Sequence, residues 1–450
     1  MASCMHRSRL GCSGSGAHKL AIDFALDKTA GEVSKLDRRS LLKSSLALGG
    51  LSGLGACSTP PQPRPSLRTG PGLPIEDIPP PLAPIRAHPD RIFDVRCCIR
   101  PFRVKGPNLD TEQIGDALVV HNYGHGGSGW SLSWGSANVA VQKAMSVSPK
   151  RIAVIGCGII GLTAAITAQR AGAQVTIYTR EMLPRTRSVR ANGSWTPDSR
   201  VCLAEQAGPQ FGALWEQMAR YSYKTYRYYM GLPERPIDFA DQYRLSDTPI
   251  EREQESLDPA QGTYGSTGRI QQNAEFGRYS DLIRDLTSRP EILPQGATPF
   301  PVKYVQRQQT MFFNFGSYGH VLLSEFFGAG GKIEIRQFHH PSELGTLEEK
   351  VVINCPGYAA RDLWKDKYMI PVRGQTGWLI PQPEVKYGLY YDGVAILSKS
   401  DGIMVMSLGR GSVKGDLAGV GDANEVENRA EIEDAVRVIE GLYARMPAST

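Results

Sequence analysis

Gly156-Cys157-Gly158-Ile159-Ile160-Gly161 holds three glycines at the spacing that lets a backbone approach a dinucleotide pyrophosphate. Each glycine has its own task. Gly156 permits the tight turn, Gly158 admits the phosphates, and Gly161 lets the following helix pack against the preceding strand. The start of that helix then offers unpaired N–H groups and a positive dipole end to an anion. An acidic residue at the end of the next strand commonly holds the ribose, and Glu181, slightly late in Tyr178-Thr179-Arg180-Glu181, is the candidate. An exposed loop carboxylate is the alternative for Glu181.

Such a turn does this chemistry only when secondary structure surrounds it. Arg151 to Ile155 is a short β-branched run, Leu162 to Ala171 is helix-forming, and Gln174 to Tyr178 is a second strand run. Strand, turn, helix and strand thus follow within one short unit, as nucleotide binding requires. Further strands are expected over residues 332–337, 350–354 and 376–380. Two antiparallel strands are expected over 388–409, turning at Ser400-Asp401-Gly402. Residues 424–445 read as one amphipathic helix with Val426, Ile432, Val436, Ile439 and Leu442 on its apolar face.

The 450 residues carry a formal charge of +6. Residues 1–57 hold eight Lys or Arg against four Asp or Glu, so most of the excess lies there. The remainder shows no clustered basic face of the kind nucleic acid needs. Asp37-Arg38-Arg39-Ser40-Leu41-Leu42-Lys43 precedes a small apolar stretch from Ser44 to Ala56, too short to span a bilayer. Paired arginines in that setting predict a twin-arginine export signal. Leu54-Gly55-Ala56-Cys57 predicts lipidation at Cys57, which would be the chain's only membrane attachment. Eleven prolines between Pro60 and Pro89 predict an extended tether. The eight cysteines show no metal-ligand spacing. Adjacent Cys97 and Cys98 are expected as strand residues on opposite faces.

Several segments outside the glycine turn resemble the D-amino-acid oxidase family. Ala191-Asn192-Gly193-Ser194-Trp195 is similar to a turn that covers the flavin. Asn354-Cys355-Pro356-Gly357 and Arg373-Gly374-Gln375 resemble two further segments. The most specific is His121-Asn122-Tyr123-Gly124-His125-Gly126-Gly127-Ser128-Gly129-Trp130, preceded by Ile99-Arg100-Pro101-Phe102-Arg103. In the family these last two segments close the chain, whereas here they precede the glycine turn. Against the family, the order looks circularly permuted. It would need the end near Met446 to approach Arg91 to Arg96, and the His121–Gly127 turn to face Gly156–Gly161 across one cavity.

The resemblance implies an α/β fold: a Rossmann-like FAD-binding domain over 91–195 and 300–370, and a mainly antiparallel substrate domain over 196–299 and 371–450. A signal over 1–57 and a linker over 58–90 precede them. It implies FAD and oxidative deamination of a D-amino acid. Hydride would pass from the α-carbon to flavin N5, the imino product would hydrolyse to a keto acid and ammonia, and oxygen would reoxidise the flavin. A dehydrogenase passing electrons to quinone and an exported, non-catalytic binding protein stay open as alternatives. Arg100 would grip the substrate carboxylate, because a guanidinium offers two parallel donors and stays charged. Tyr390 would assist it, and the Gly127 carbonyl would accept the substrate amine. Val394, where the family has a second tyrosine, implies a less polar pocket. Gly126, Gly129, Ser131, Gly193 and Trp195 would lie beside the flavin, and Ile160, Ser188 and Phe338 beside its pyrophosphate and adenine. His121 and His125 are expected to hold their loop by side-chain hydrogen bonds. On the export reading, replacing Arg38 and Arg39 with Lys leaves the precursor inside the cell; cell fractionation checks this, and normal envelope delivery of that variant would rule the route out.

Overall fold

The computed structural model describes residues 82–250, 275–409 and 415–446. Arg38, Arg39, Cys57 and the tether as far as Pro81 lie outside the described residues. The strands are β1 (Ile92–Arg103), β2 (Thr111–Ile114), β3 (Ala117–His121), β4 (Arg151–Cys157), β5 (Gln174–Met182), β6 (Ile237–Ser246), β7 (Glu291–Leu293), β8 (Tyr304–Phe313), β9 (Lys332–Ile335), β10 (Val351–Asn354), β11 (Met369–Leu379), β12 (Tyr387–Tyr391), β13 (Val394–Lys399) and β14 (Gly402–Ser407). The helices are α1 (Gly129–Met145), α2 (Ile159–Arg170), α3 (Ala204–Ala207), α4 (Phe211–Tyr226), α5 (Phe315–Gly328), α6 (Ala360–Leu363) and α7 (Arg429–Ala444).

Two sheets organise these elements. One has the order β2-β3-β10-β4-β5-β9 and is parallel from β3 to β9. Its central strand β4 is apolar on both faces, as a covered parallel strand must be. Ile152 and Val154 join the core beneath the helices, and Ala153 and Ile155 pack with Tyr178 and Phe338 on the other side. Helix α1 lies between α2 and α4. Its small residues Ser133, Gly135, Ser136, Ala137 and Ala140 are all buried, which lets both neighbours approach.

The second sheet has the order β1-β11-β14-β13-β12-β6-β8-β7 and is antiparallel except where β12 meets β6. Helix α7 covers one face through Ile432, Ala435, Val436, Ile439 and Leu442. The Asn428 side chain accepts from Glu431 N and caps the helix, so it starts at Arg429 rather than near 424. Val426 falls outside it and is 70% exposed.

Three further expectations change. Residues 387–407 form three strands, because Asp392-Gly393 makes a tight turn with both residues at positive φ, 42° and 76°. Strand β1, expected with the nucleotide-binding part, ladders along β11 from Ile92↔Leu379 to Arg103↔Met369 in the antiparallel sheet, and β8 lies there too. Helix α4, expected with the substrate part, packs on α1. At the chain end, it is the start of α7 that meets Ile92, through Arg429, while its later turns lie against the 83–88 segment. Cys97 and Cys98 do point to opposite faces, toward the Asn424 and Arg190 carbonyls, and both are fully buried.

Gly135 sits at the crossing of α1 and α4. A Cβ there would collide with the Met218 backbone on α4. Gly135→Val is expected to cost about 1–3 kcal/mol through overpacking, read as a lower denaturation midpoint in urea with an unchanged slope.

Candidate active site

One cavity draws its walls from both sheets. The antiparallel sheet contributes Arg100 from β1 and Met406 from β14. The parallel sheet contributes the Gly156–Gly161 turn, and the loop after β3 adds Asn122 to Gly127. The two glycine-bearing turns therefore share a cavity although one precedes the other in sequence.

Arg100 is fixed by its surroundings. Its guanidinium donates to the Arg373 carbonyl at 3.0 Å and lies 3.6 Å from the Met406 sulfur. Its planar head covers Gly374, where any Cβ would collide with it. Among the described residues it forms no ion pair with a carboxylate.

The turn after β3 is clamped on both sides. Gly126 N donates to the Pro101 carbonyl at 2.8 Å, and Gly127 N donates to the Ser199 carbonyl at 3.0 Å. Gly126 has φ +59°, and a Cβ there would strike the Arg200 carbonyl. His121 plays the expected structural part. Its Nε2 meets Glu112 at 3.1 Å, and its Nδ1 accepts from the Asn354 amide at 3.0 Å, which fixes a neutral ring. Burial lowers its pKa, with Glu112 opposing. His125 departs from expectation. Neither ring nitrogen has a partner among the described residues, and burial holds its pKa down to about 3. The Asn122 amide is fully buried and unpartnered at both ends as well.

The nucleotide end is built from the β4–α2 turn. Gly156 has φ +95° and a Cβ there would sit 2.5 Å from the Cys355 carbonyl. Gly158 precedes the first turn of α2. Ser188 Oγ accepts from Ile159 N at 3.0 Å, so it already caps that helix start. Trp130 donates to the Ser188 carbonyl at 2.7 Å and ties the two turns together. Glu181, Ile160 and Phe338 all line the cavity, as do Arg180, Arg187 and Arg336.

Four expected site residues do not line it. Ser131 is buried and its hydroxyl accepts from Thr196 N. Gly193 packs on Lys399, and Trp195 packs on Tyr223, while their neighbour Asn192 does line the cavity. Tyr390 is paired with Ala395, itself paired to Met406, so it shares the cavity-side face without reaching the wall. Val394 points the other way, into the core beneath α7, and therefore does not make the cavity less polar.

Residues 151–449 match the family model described as FAD dependent oxidoreductase. The chain belongs to that family. It is similar to a D-amino-acid oxidase of Rubrobacter xylanophilus, 28% identical over 234 residues, covering 50% of this chain and 58% of the relative. It is also similar to a D-aspartate oxidase of Talaromyces thermophilus, 24% identical over 331 residues, covering 66% of this chain and 78% of the relative. The chain spans little more than half the length of the bacterial D-amino-acid oxidases it matches. Among solved structures, a glycine oxidase from Bacillus cereus aligns at 14% identity with a TM-score of 0.42, over 66% of this chain and 78% of that one.

The cavity fits the family's FAD. The glycine turn leaves bare backbone where a pyrophosphate must approach, beside Arg187 and the α2 N-terminus. Asn122 and His125 present buried polar atoms whose lack of partners is costly unless a bound group supplies them. Gly156, Gly158, Ile160, Gly161, Glu181 and Ser188 would hold the nucleotide, and Asn122 and Gly126 to Gly129 would line the flavin.

Two basic residues near the site carried no sequence signal. Arg200 lines the cavity, and Lys399 lies under the 191–195 turn. The Lys399 ammonium donates to the Phe313 carbonyl at 2.9 Å and rests 4.0 Å from the Phe315 ring centre. Burial lowers its pKa to about 7. An unfolded lysine titrates near 10.4. Between those values the unfolded chain holds a proton that the folded chain releases, so stability rises with pH across that window. Below about 7 the folded protein carries the buried charge at full cost. Lys399→Met is therefore expected to gain most in melting temperature over the unsubstituted protein at pH 6, with the gain shrinking toward pH 10. Calorimetry at both pH values checks the sign.

Proposed function

We propose that this chain oxidises a D-amino acid to the imino acid, which water converts to the 2-keto acid and ammonia, with oxygen as the electron acceptor. The observation that carries the reading is Arg100, a cation with no carboxylate partner among the described residues, facing the cavity shared by the two glycine-bearing turns. Bound FAD supplies the two-electron oxidant, and the protein supplies binding and orientation. The Arg100 fork suits a carboxylate, and the Arg373 carbonyl and Gly374 hold that fork at one angle. With its carboxylate anchored and its amine against the Gly127 carbonyl, a substrate presents one face of its α-carbon to the flavin side of the cavity. His125 is too weak a base, at about 3, to hold a proton at neutral pH, and Asn122 cannot take one. These two groups thus supply no protein base, and the cavity supports catalysis by orientation. The relatives named D-amino-acid oxidase and D-aspartate oxidase support the D-configuration. The Arg38-Arg39 pair and Cys57 support delivery to the cell envelope, and the order of the motifs supports a circular permutation.

Purified protein is expected to be yellow, to bleach under nitrogen with a D-amino acid, and to form peroxide in air. Bleaching without peroxide, coupled to quinone reduction, would make it a dehydrogenase. Arg100→Ala is expected to keep its flavin and lose about 2–5 kcal/mol of substrate binding, the usual result of removing one member of a buried charge pair. Steady-state kinetics checks this, and an unchanged kcat/KM in that variant would remove Arg100 from the reading.

A further inference from the structure

Met406 is the only methionine among the described residues that lines the cavity. It is 5% exposed, and its sulfur lies 3.6 Å from Arg100 Nη2. The other terminal nitrogen of that guanidinium, Nη1, donates to the Arg373 carbonyl. A thioether is a weak acceptor, so the sulfur takes little of the guanidinium's capacity for a carboxylate. Met404 stands two residues earlier on the same face of β14. It is buried with Trp378 and Leu397 and does not line the cavity.

A leucine would fill the Met406 position with similar volume. Methionine differs in carrying a polarizable sulfur that peroxide can oxidise. On the oxidase reading given above, oxygen takes two electrons and two protons and becomes hydrogen peroxide within this cavity. Peroxide can then transfer its nearer oxygen to the Met406 sulfur. The S–O bond forms, the O–O bond breaks, and the proton of the transferred oxygen passes to the departing one, which leaves as water. Sulfur loses two electrons and peroxide gains two, so thioether and peroxide give sulfoxide and water. The Arg100 N–H beside the sulfur can donate to the departing oxygen as negative charge grows on it.

The sulfoxide changes what Arg100 can bind. Its oxygen is a strong acceptor placed where the thioether was a weak one. Nη2 then donates to the sulfoxide while Nη1 stays on Arg373, and the fork is no longer free for a carboxylate. The Gly156–Gly161 turn at the nucleotide end is not involved.

We propose that Met406 is a modification site at which peroxide made by the protein itself forms the sulfoxide, which pairs with Arg100 and weakens binding of the substrate carboxylate. The inference rests on the oxidase reading. It makes turnover self-limiting.

The test uses the flavin-loaded full chain turning over a D-amino acid in air. Catalase in solution destroys the peroxide that escapes, and the keto acid formed counts the turnovers. A parallel sample without catalase measures peroxide. Peptide mass spectrometry is expected to place the added oxygen on Met406 ahead of Met404 and of the more accessible Met145 and Met230. KM is expected to rise by about 10-fold as the sulfoxide accumulates, the scale of one hydrogen bond to a charged group, with the flavin retained. Met406→Leu removes the sulfur and is expected to keep its own starting KM through the same number of turnovers. The mass measurement needs no variant, so it decides the matter even where that variant folds poorly. Peroxide formed while Met406 stays a thioether, oxygen spread equally over Met145 and Met230, or an unchanged KM in the oxidised protein would each overturn the site and leave the oxidase reading intact. Amino-acid oxidation that yields no peroxide without catalase would sink oxygen as the acceptor, and the Met406 site with it.

Discussion

The site depends on one buried ion pair. Arg103 at the end of β1 meets Asp366 at 2.9 Å, with side chains 13% and 7% exposed. Tyr123 donates to the same carboxylate at 3.1 Å, and Asn108 reaches the Tyr123 hydroxyl at 2.9 Å. Burial and the adjacent carboxylate both keep that phenol protonated, so it stays a donor. A buried pair of this kind stabilises little by itself, because desolvation offsets the Coulomb gain. Its consequence is geometric. The chain leaves the antiparallel sheet at Arg103, crosses to the parallel sheet as β2 and β3, and must return its next turn to within a hydrogen bond of Pro101. Fixing Tyr123 to Asp366 fixes where that turn starts. The isolated bridges Phe102↔His125 and Asn108↔Tyr123 then hold it along β1.

Once that turn is placed, sterics carry the constraint onward. Gly126 touches Arg200, Trp130 reaches the Ser188 carbonyl, and Ser188 caps α2. A single run of contacts thus passes from the arginine-bearing strand to the nucleotide-binding helix. Gly126 and Gly127 in this run have no room for side chains, so the turn after β3 is fitted against the Ser199-Arg200 backbone rather than left as a free loop. Gly161 shows the same logic, since a Cβ there would strike the Gly156 carbonyl. Close-packed interiors transmit such constraints because they leave few voids to absorb a shift.

The difference between what sequence revealed and what it concealed follows from range. The β4–α2–β5 unit was readable because its signals are local: a β-branched run, three spaced glycines and a helix-forming run. The motif around His121 to Gly129 was readable as a motif, yet its partner strand was not. Nothing local in Ile92 to Arg103 says that it will ladder against Met369 to Leu379, so sequence alone groups it with the nucleotide-binding part. Asp392-Gly393 was passed over although Asp-Gly is a strong hairpin signal, and one strand was lost with it. Arg200 and Lys399 were unreadable for a third reason. A basic residue ordinarily predicts exposure, and only the tertiary packing places Arg200 between Gly126 and Asp416 or Lys399 over Phe315.

The cavity is electrically divided, and the division says what each part can do. Arg180, Arg187 and Arg336 stand at the nucleotide end, and Arg100 and Arg200 at the other. Between them lie glycine backbone, Asn122 and a His125 that burial keeps neutral. A charged group in that middle stretch would compete for both anions and would draw water with it. At the nucleotide end Arg187 is paired with Glu425 and Arg180 lies near Glu181, whereas Arg100 has no carboxylate partner among the described residues. On the proposed reading, an anionic cofactor and an anionic substrate are each held at their own end. On that reading, the glycine backbone and the neutral side chains of Asn122 and His125 line the stretch between the arginines, so orientation there is set by the charges and by the backbone of the two glycine-bearing turns.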